Sequence, residues 1–463
     1  MTDAPLYEAL CALAARKTTR FHMPGHKGYP LFDAFAGVFL LDFTETYDTG
    51  NLYEQTGPIR LAEQRTAAYY QAADCHFLTD GSTQGVQAML AAACGDGGTV
   101  LLDRTCHKST ASACALFDLT PHFLSPAPLE PFGIGAALDL TETEALLCRH
   151  PETAALLIVS PNYYGVMQDI PTLADLCHRY GKKLLVDAAH GAHLPALGLP
   201  SPVAQGADAA VMSAHKTLPS LGQGAYLIFG EGMDGSALRA AESMVGTSSP
   251  SYPILASLDL ARAWLEGQGG AAYVHAAEQT AALRAWLPAH TAFGVLTEAD
   301  APRLDPCRLT VCSALGGVSG HALSDRLYDG YGIACEMADD RNLVCIVSGA
   351  DRDNDLAALQ TALAELSAGC PAVQPPRSLP MPPPARQACS VRRAWFAPRR
   401  TVPVEEAAGS VCARPVTPYP PGIPVLWPGE EIERKHVEFL TERCYNTVSE
   451  VQICANDVRG NVP

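Results

Sequence analysis

The stretch ADAAVMSAHKTLPSLGQGAYLIF, residues 207–229, carries two short apolar runs on either side of a polar loop. ADAAVMS (207–213) and AYLIF (225–229) show no alternation of polar and apolar positions, so both read as strands covered on both faces. Between them Pro219, Gly222 and Gly224 break regular structure, leaving Ser213, His215, Lys216 and Thr217 in a loop at a strand end. Runs of the same kind recur upstream at TVLLDR (99–104), ALLIVS (155–160) and KLLVDAA (183–189), separated by amphipathic stretches long enough for helices. Strands alternating with helices from about residue 65 to 230 predict an α/β core with a mostly parallel sheet.

Further along, helical patterns cover 252–265 and 273–287. A β–α–β–β–α order from Arg308 to about Ala368 predicts a smaller, separate α+β domain. The proline-rich CPAVQPPRSLPMPPPARQ (370–387) is expected to be a stiff, extended linker. TPYPPGIPVLWPGE (417–430), in the module that follows, holds too many prolines for a helix. FHMPGHKGYP (21–30), near the amino terminus, reads as a loop for the same reason. The expected divisions are an amino-terminal arm (1–60), a large domain (61–290), a small α+β domain (291–370), a linker (371–387) and a carboxy-terminal module (388–463).

Composition narrows the function. Of 463 residues 48% are hydrophobic and 17% charged, which suits an enzyme with an extensive interior and a subunit interface. A formal net charge of −17 without a lysine or arginine run argues against nucleic acid or an anionic membrane as partner. No signal-peptide pattern opens the chain and no run approaches a membrane span, so a cytoplasmic protein is expected. The 16 cysteines are scattered without a CxxC pair, which points to apolar core positions and to no metal site.

Four strand-end or helix-start segments carry groups that suit one cofactor. Lys216 can form an imine with an aldehyde while Ser213 and His215 contact that cofactor's phosphate. Asp187, in VDAAHGAH (186–193), can hold a pyridine nitrogen protonated and so make the ring an electron sink. Gly81, Ser82 and Thr83 open the helix of TDGSTQGVQAMLAAAC (79–94), where free amides and hydroxyls suit a phosphate. His107, in DRTCHKS (103–109), can stack on the ring or handle protons. Each alone has an ordinary structural explanation: a loop lysine, a capping aspartate, an N-cap, a solvated histidine. Together they lie where a doubly wound sheet gathers its ligands.

These segments, with FHMPGHKG (21–28), TGPIRLAE (56–63), TSSPSYPILASLD (247–259) and PYPPGIPVLWPGE (418–430), resemble the bacterial ornithine/lysine/arginine decarboxylases, a family of fold-type I pyridoxal-phosphate (PLP) enzymes. The resemblance implies a PLP-transferase-like large domain and decarboxylation of a basic L-amino acid to its amine, through an external aldimine and a quinonoid, as in polyamine biosynthesis. Lys216 would carry the cofactor, Asp187 its ring nitrogen and His107 its ring face. Ser82, Thr83, Ser213 and His215 would hold the phosphate, and Lys216, His107, His190 or His215 would protonate Cα. Thr247 and Ser248 would approach the cofactor of a neighbouring subunit, implying a homodimer or higher homo-oligomer with shared sites. Glu430 would receive the substrate's distal cation. The chain differs from the family pattern in Asp80 for the usual Asn, Gly50 in the usual Asp-Asn-Leu, and Gly222 for the Thr of LTQ. It resembles the shorter members without an amino-terminal wing, for which arginine is expected ahead of lysine or ornithine. Other PLP chemistry (a transaminase, aldolase or β-lyase) and a catalytically silent PLP-binding homologue are the alternatives.

Overall fold

A computed structural model describes residues 3–16, 18–370, 383–418, 422–442 and 448–460. Its central sheet runs in the order Asp74–Leu78, Ala225–Phe229, Ala209–Met212, Lys183–Asp187, Thr153–Val159, Thr99–Asp103, Thr120–Leu124. Every neighbouring pair from Ala209–Met212 to Thr120–Leu124 is parallel. Ala225–Phe229 runs against both of its neighbours. The loop that leads into it holds only the one-turn helix Ala214–Thr217, too little chain for a crossover, so the strand returns antiparallel.

The mostly parallel α/β sheet is therefore as expected, with one reversed strand and two unanticipated edges. Asp74–Leu78 includes Asp74 and His76, and Thr120–Leu124 includes Pro121 and His122, so neither shows the apolar run that marks the inner strands. Proline is tolerated at that edge because one side of the strand has no ladder partner.

Successive residues of the inner strands feed two separate cores. Leu101, Leu156, Leu184, Val186, Ala210 and Ile228 pack on one face. Val100, Leu102, Leu157, Leu185, Val211 and Leu227 pack on the other. Helices cover both faces, which is why the strands read as continuous apolar runs. The helix Pro5–Ala15 buries Leu6 and Leu10 in the first of these cores, its entry fixed by Asp259 Oδ2, which accepts from Leu6 N–H at 2.8 Å.

Beyond the helices Tyr252–Trp264 and Gly270–His290, a second sheet orders Gly294–Val295, Arg308–Cys312, Asn342–Ile346 and Met337–Ala338, all antiparallel. The helices Gly320–Tyr331 and Asp353–Ala368 complete the β–α–β–β–α order. Most of the proline-rich linker lies outside the described residues. The segment after it pairs Arg399–Pro403 with Glu450–Cys454. The described cysteines are all free, and no helix among the described residues is long and apolar enough to cross a membrane.

Candidate active site

The site forms outside the carboxyl ends of the parallel strands. Lys216 follows Ala209–Met212, and its Nζ lies 3.3 Å from His190 Nε2 and 5.5 Å from the Tyr163 ring centroid. Burial pushes its ammonium below the ordinary lysine range; the charges of Asp187 and Glu336 oppose this, and Arg308 adds to it. Asp187 ends Lys183–Asp187 and is buried, with Oδ1 accepting from Ala189 N–H at 3.1 Å. Burial raises its carboxyl above the usual range, against the attraction of Lys216. Burial thus shifts both groups towards their uncharged forms, against their mutual attraction.

His107 caps the helix Lys108–Leu116: its Nδ1 accepts from Ser109 N–H at 3.2 Å, so a neutral ring bears its hydrogen on Nε2. Burial, with the charges of Lys216 and Lys108, pushes its pKa down to about 4. Ser82, His107, Asp187, His190 and Lys216 line one pocket together with Tyr163. Gly422 and Ile423 of the carboxy-terminal segment line it as well. His107 also borders a cleft of about 480 Å³ shared with Thr83 and Arg414, which opens the site towards that segment.

The residues present fit PLP. Gly81 N–H donates to the Gln223 carbonyl at 2.9 Å, and the helix Gly81–Cys94 begins without a side-chain cap, which leaves the amides of Ser82 and Thr83 for an anion. Ser213 Oγ is fully buried and has no hydrogen-bond partner among the described residues. His215 donates from Nδ1 to the Gly224 carbonyl at 3.0 Å, which fixes its ring beside Lys216 in the chain. Asp80, the unusual residue of the phosphate loop, accepts from Thr247 N–H at 3.0 Å, so its carboxylate is tied to the 247 segment. Thr247 and Ser248 are not among the residues lining this chain's own pocket. Gly50 has φ +77°, and a Cβ there would collide with the Thr56 carbonyl, so an Asp is not accommodated at this position.

Glu430 departs from expectation. Its two oxygens accept from Arg104 Nη1 and Nη2 at 2.7 and 2.9 Å, and Oε2 also accepts from Trp427 N–H at 2.7 Å. It is 2% exposed. The bidentate pair with Arg104 ties the carboxy-terminal segment to the large domain and leaves little of this buried carboxylate for a substrate cation. Arg308 and Tyr163 were not anticipated. Arg308 Nη2 lies 3.1 Å from His190 Nδ1 across 118 residues of chain, and no local pattern at Arg308 announces that contact. Tyr163 packs against His190 with ring centroids 4.5 Å apart and planes tilted by 56°.

The major-domain model of the Orn/Lys/Arg decarboxylases matches residues 4–290, and their carboxy-terminal-domain model matches 382–446. The Bacillus subtilis protein YaaO, itself uncharacterized, is 33% identical over 95% of this chain and 94% of its own length. The arginine decarboxylase of Bacillus subtilis is 30% identical over 95% and 93%. Among solved structures, the constitutive lysine decarboxylase of E. coli superposes with a TM-score of 0.83 at 20% identity, over 98% of this chain and 82% of that one. An alanine–glyoxylate aminotransferase from Nostoc sp. shares the fold at a TM-score of 0.55 and 18% identity, over 66% and 86%. With matches that span most of its length, this chain belongs to the Orn/Lys/Arg decarboxylase family of PLP enzymes.

Proposed function

We propose that the chain decarboxylates a basic L-amino acid, arginine ahead of lysine and ornithine, with PLP attached at Lys216. The observation that carries this is the meeting of Lys216, Asp187, His107 and His190 in one pocket of a chain of this family. The cofactor, when bound, supplies an aldehyde and an electron-accepting ring conjugated to the substrate Cα. Asp187 would keep the ring nitrogen protonated, and His107 would lie against the ring as a neutral group. Ser82, Thr83, Ser213, His215 and the amides that follow Gly81 would hold its phosphate. Lys216 Nζ and His190 Nε2, 3.3 Å apart, are the groups placed to hand a proton to Cα. Gly422 and Ile423, which line the same pocket, would help to shield the reacting carbon from water.

With Glu430 committed to Arg104, we assign the substrate's distal cation to Glu336, an exposed carboxylate whose charge reaches Lys216 and Arg308. Arginine is favoured because relatives 30–31% identical and matched over nearly their whole length are named arginine decarboxylases. The lysine decarboxylases of E. coli and Pseudomonas aeruginosa are 22–25% identical. A homodimer is supported by Phe21, Tyr29, Phe32, Phe35 and Tyr47, large apolar side chains left exposed in one segment, and Thr247 and Ser248 would complete the partner's site.

The experiment is to load the protein with PLP, supply each basic amino acid, and identify the amine and CO2 formed. Lys216→Ala abolishes both turnover and borohydride trapping of the cofactor. Better use of lysine than arginine would overturn the substrate assignment. Bound cofactor without CO2 release from any of the three would overturn decarboxylation.

A further inference from the structure

His190 lies between two groups that are ordinarily cations. Its Nε2 is 3.3 Å from Lys216 Nζ, and its Nδ1 is 3.1 Å from Arg308 Nη2. A guanidinium has donors and no acceptor, so Nδ1 accepts, and the neutral ring carries its hydrogen on Nε2. That hydrogen faces Lys216. An ammonium has no lone pair to receive it, whereas the free amine has one.

The surroundings reinforce this arrangement. His190 and Arg308 are each 2% exposed, and the Tyr163 ring packs against the imidazole. The contact with His190 is the one side-chain hydrogen bond Arg308 makes with described residues; its Nε and Nη1 have none. Asp305 Oδ2 stands 3.8 Å from Arg308 Nε, close enough to balance its charge without taking its donors. Asp305 is itself paired with His193 at 2.9 Å. A charged His190 is disfavoured first by burial and then by Lys216, Arg308, His193 and His107. Asp187 and Glu336 are the groups that favour a charged Lys216, while burial and Arg308 oppose it.

We infer that Arg308 is a positioning residue: it fixes the Nε2–H tautomer of His190, and through it holds Lys216 as the uncharged amine. The inference rests on the proposed function for its purpose, since a lysine must be uncharged to attack an aldehyde. It gives a buried arginine of the small sheet, far along the chain from the other site residues, a task at Lys216 that it performs without touching that side chain.

The test reads Lys216 directly, in the full chain freed of cofactor. Competitive labelling with acetic anhydride over a pH series, with the Lys216 peptide quantified by mass spectrometry, gives the pH midpoint at which the amine becomes reactive. Arg308→Met raises the midpoint by about one unit, so labelling below it slows about tenfold. In the His190→Phe background the same substitution moves the midpoint much less, because the relay is gone. Arg308→Lys, which keeps a cationic N–H donor and covers the case of a methionine variant that does not fold, shifts it less than Arg308→Met. Equal shifts in both backgrounds would mean that Arg308 acts through its field alone, and no shift would mean that it does not act; either overturns the inference. Labelling needs neither cofactor nor substrate. Intact coupling without CO2 release would therefore refute the decarboxylase reading alone, and lost coupling with normal CO2 release would refute this inference alone.

Discussion

Glu430→Ala is expected to loosen the carboxy-terminal segment from the large domain. Glu430 receives two charge-assisted bonds from Arg104, at 2.7 and 2.9 Å, and one backbone bond from Trp427. Arg104 also donates to the Val425 carbonyl at 3.0 Å, and its guanidinium lies 4.5 Å from the Phe123 ring centroid. Both side chains are largely buried, 12% and 3% exposed, so removing the carboxylate leaves a cation with little water to replace its partner. Breaking a buried pair from one side costs about 3–5 kcal/mol. Removing both partners leaves no orphan charge, so Arg104→Met with Glu430→Met should cost less than the two single substitutions summed, with a coupling of about 1–3 kcal/mol. Urea unfolding followed by tryptophan fluorescence measures this, because Trp427 is fully buried beside the pair. Turnover should fall as well as KM rise, since Gly422 and Ile423 reach the pocket from the same segment. Additive single costs, or an unchanged urea midpoint with a raised KM alone, would refute the docking role and return Glu430 to substrate binding.

Two further expectations concern the pocket. Asp187→Asn should keep the cofactor bound while lowering turnover by at least about two orders of magnitude, because a neutral amide does not hold the ring nitrogen protonated; near-native kcat would reduce Asp187 to a structural cap. His107 takes up a proton near pH 6.5 when unfolded but only near 4 when folded. Between those values the unfolded chain binds the extra proton, so stability is lost as pH falls through that window, by up to about 3 kcal/mol. His107→Phe removes this titration, and its urea midpoint should fall less than the wild type's on acidification; parallel curves would show that His107 titrates alike in both states.

What was readable in advance follows from how local each cause is. An inner strand needs apolar side chains on both faces, and that requirement is written residue by residue at 99–103, 153–159, 183–187, 209–212 and 225–229. An edge strand has no such requirement, so Asp74–Leu78 and Thr120–Leu124 carry polar residues and a proline and give no comparable signal. Within the site, Lys216, Asp187, His107 and Ser82 stand at strand ends or helix starts, and the chain's own local geometry delivers them to one side of the sheet.

By itself, then, the amino-acid sequence determined the α/β core, its strand-end lysine, aspartate and histidine, and through its motifs the family. Only the tertiary structure decided which charges meet. Arg104 and Glu430 are 326 residues apart, and His190 and Arg308 are 118 apart. A carboxylate reads the same in sequence whether it faces a substrate or a buried guanidinium, and an arginine the same whether it holds an anion or orients a histidine. The partner is set by how the domains pack, and burial then turns that pairing into a role, because inside the protein a charge or a tautomer must answer to the nearest group rather than to water.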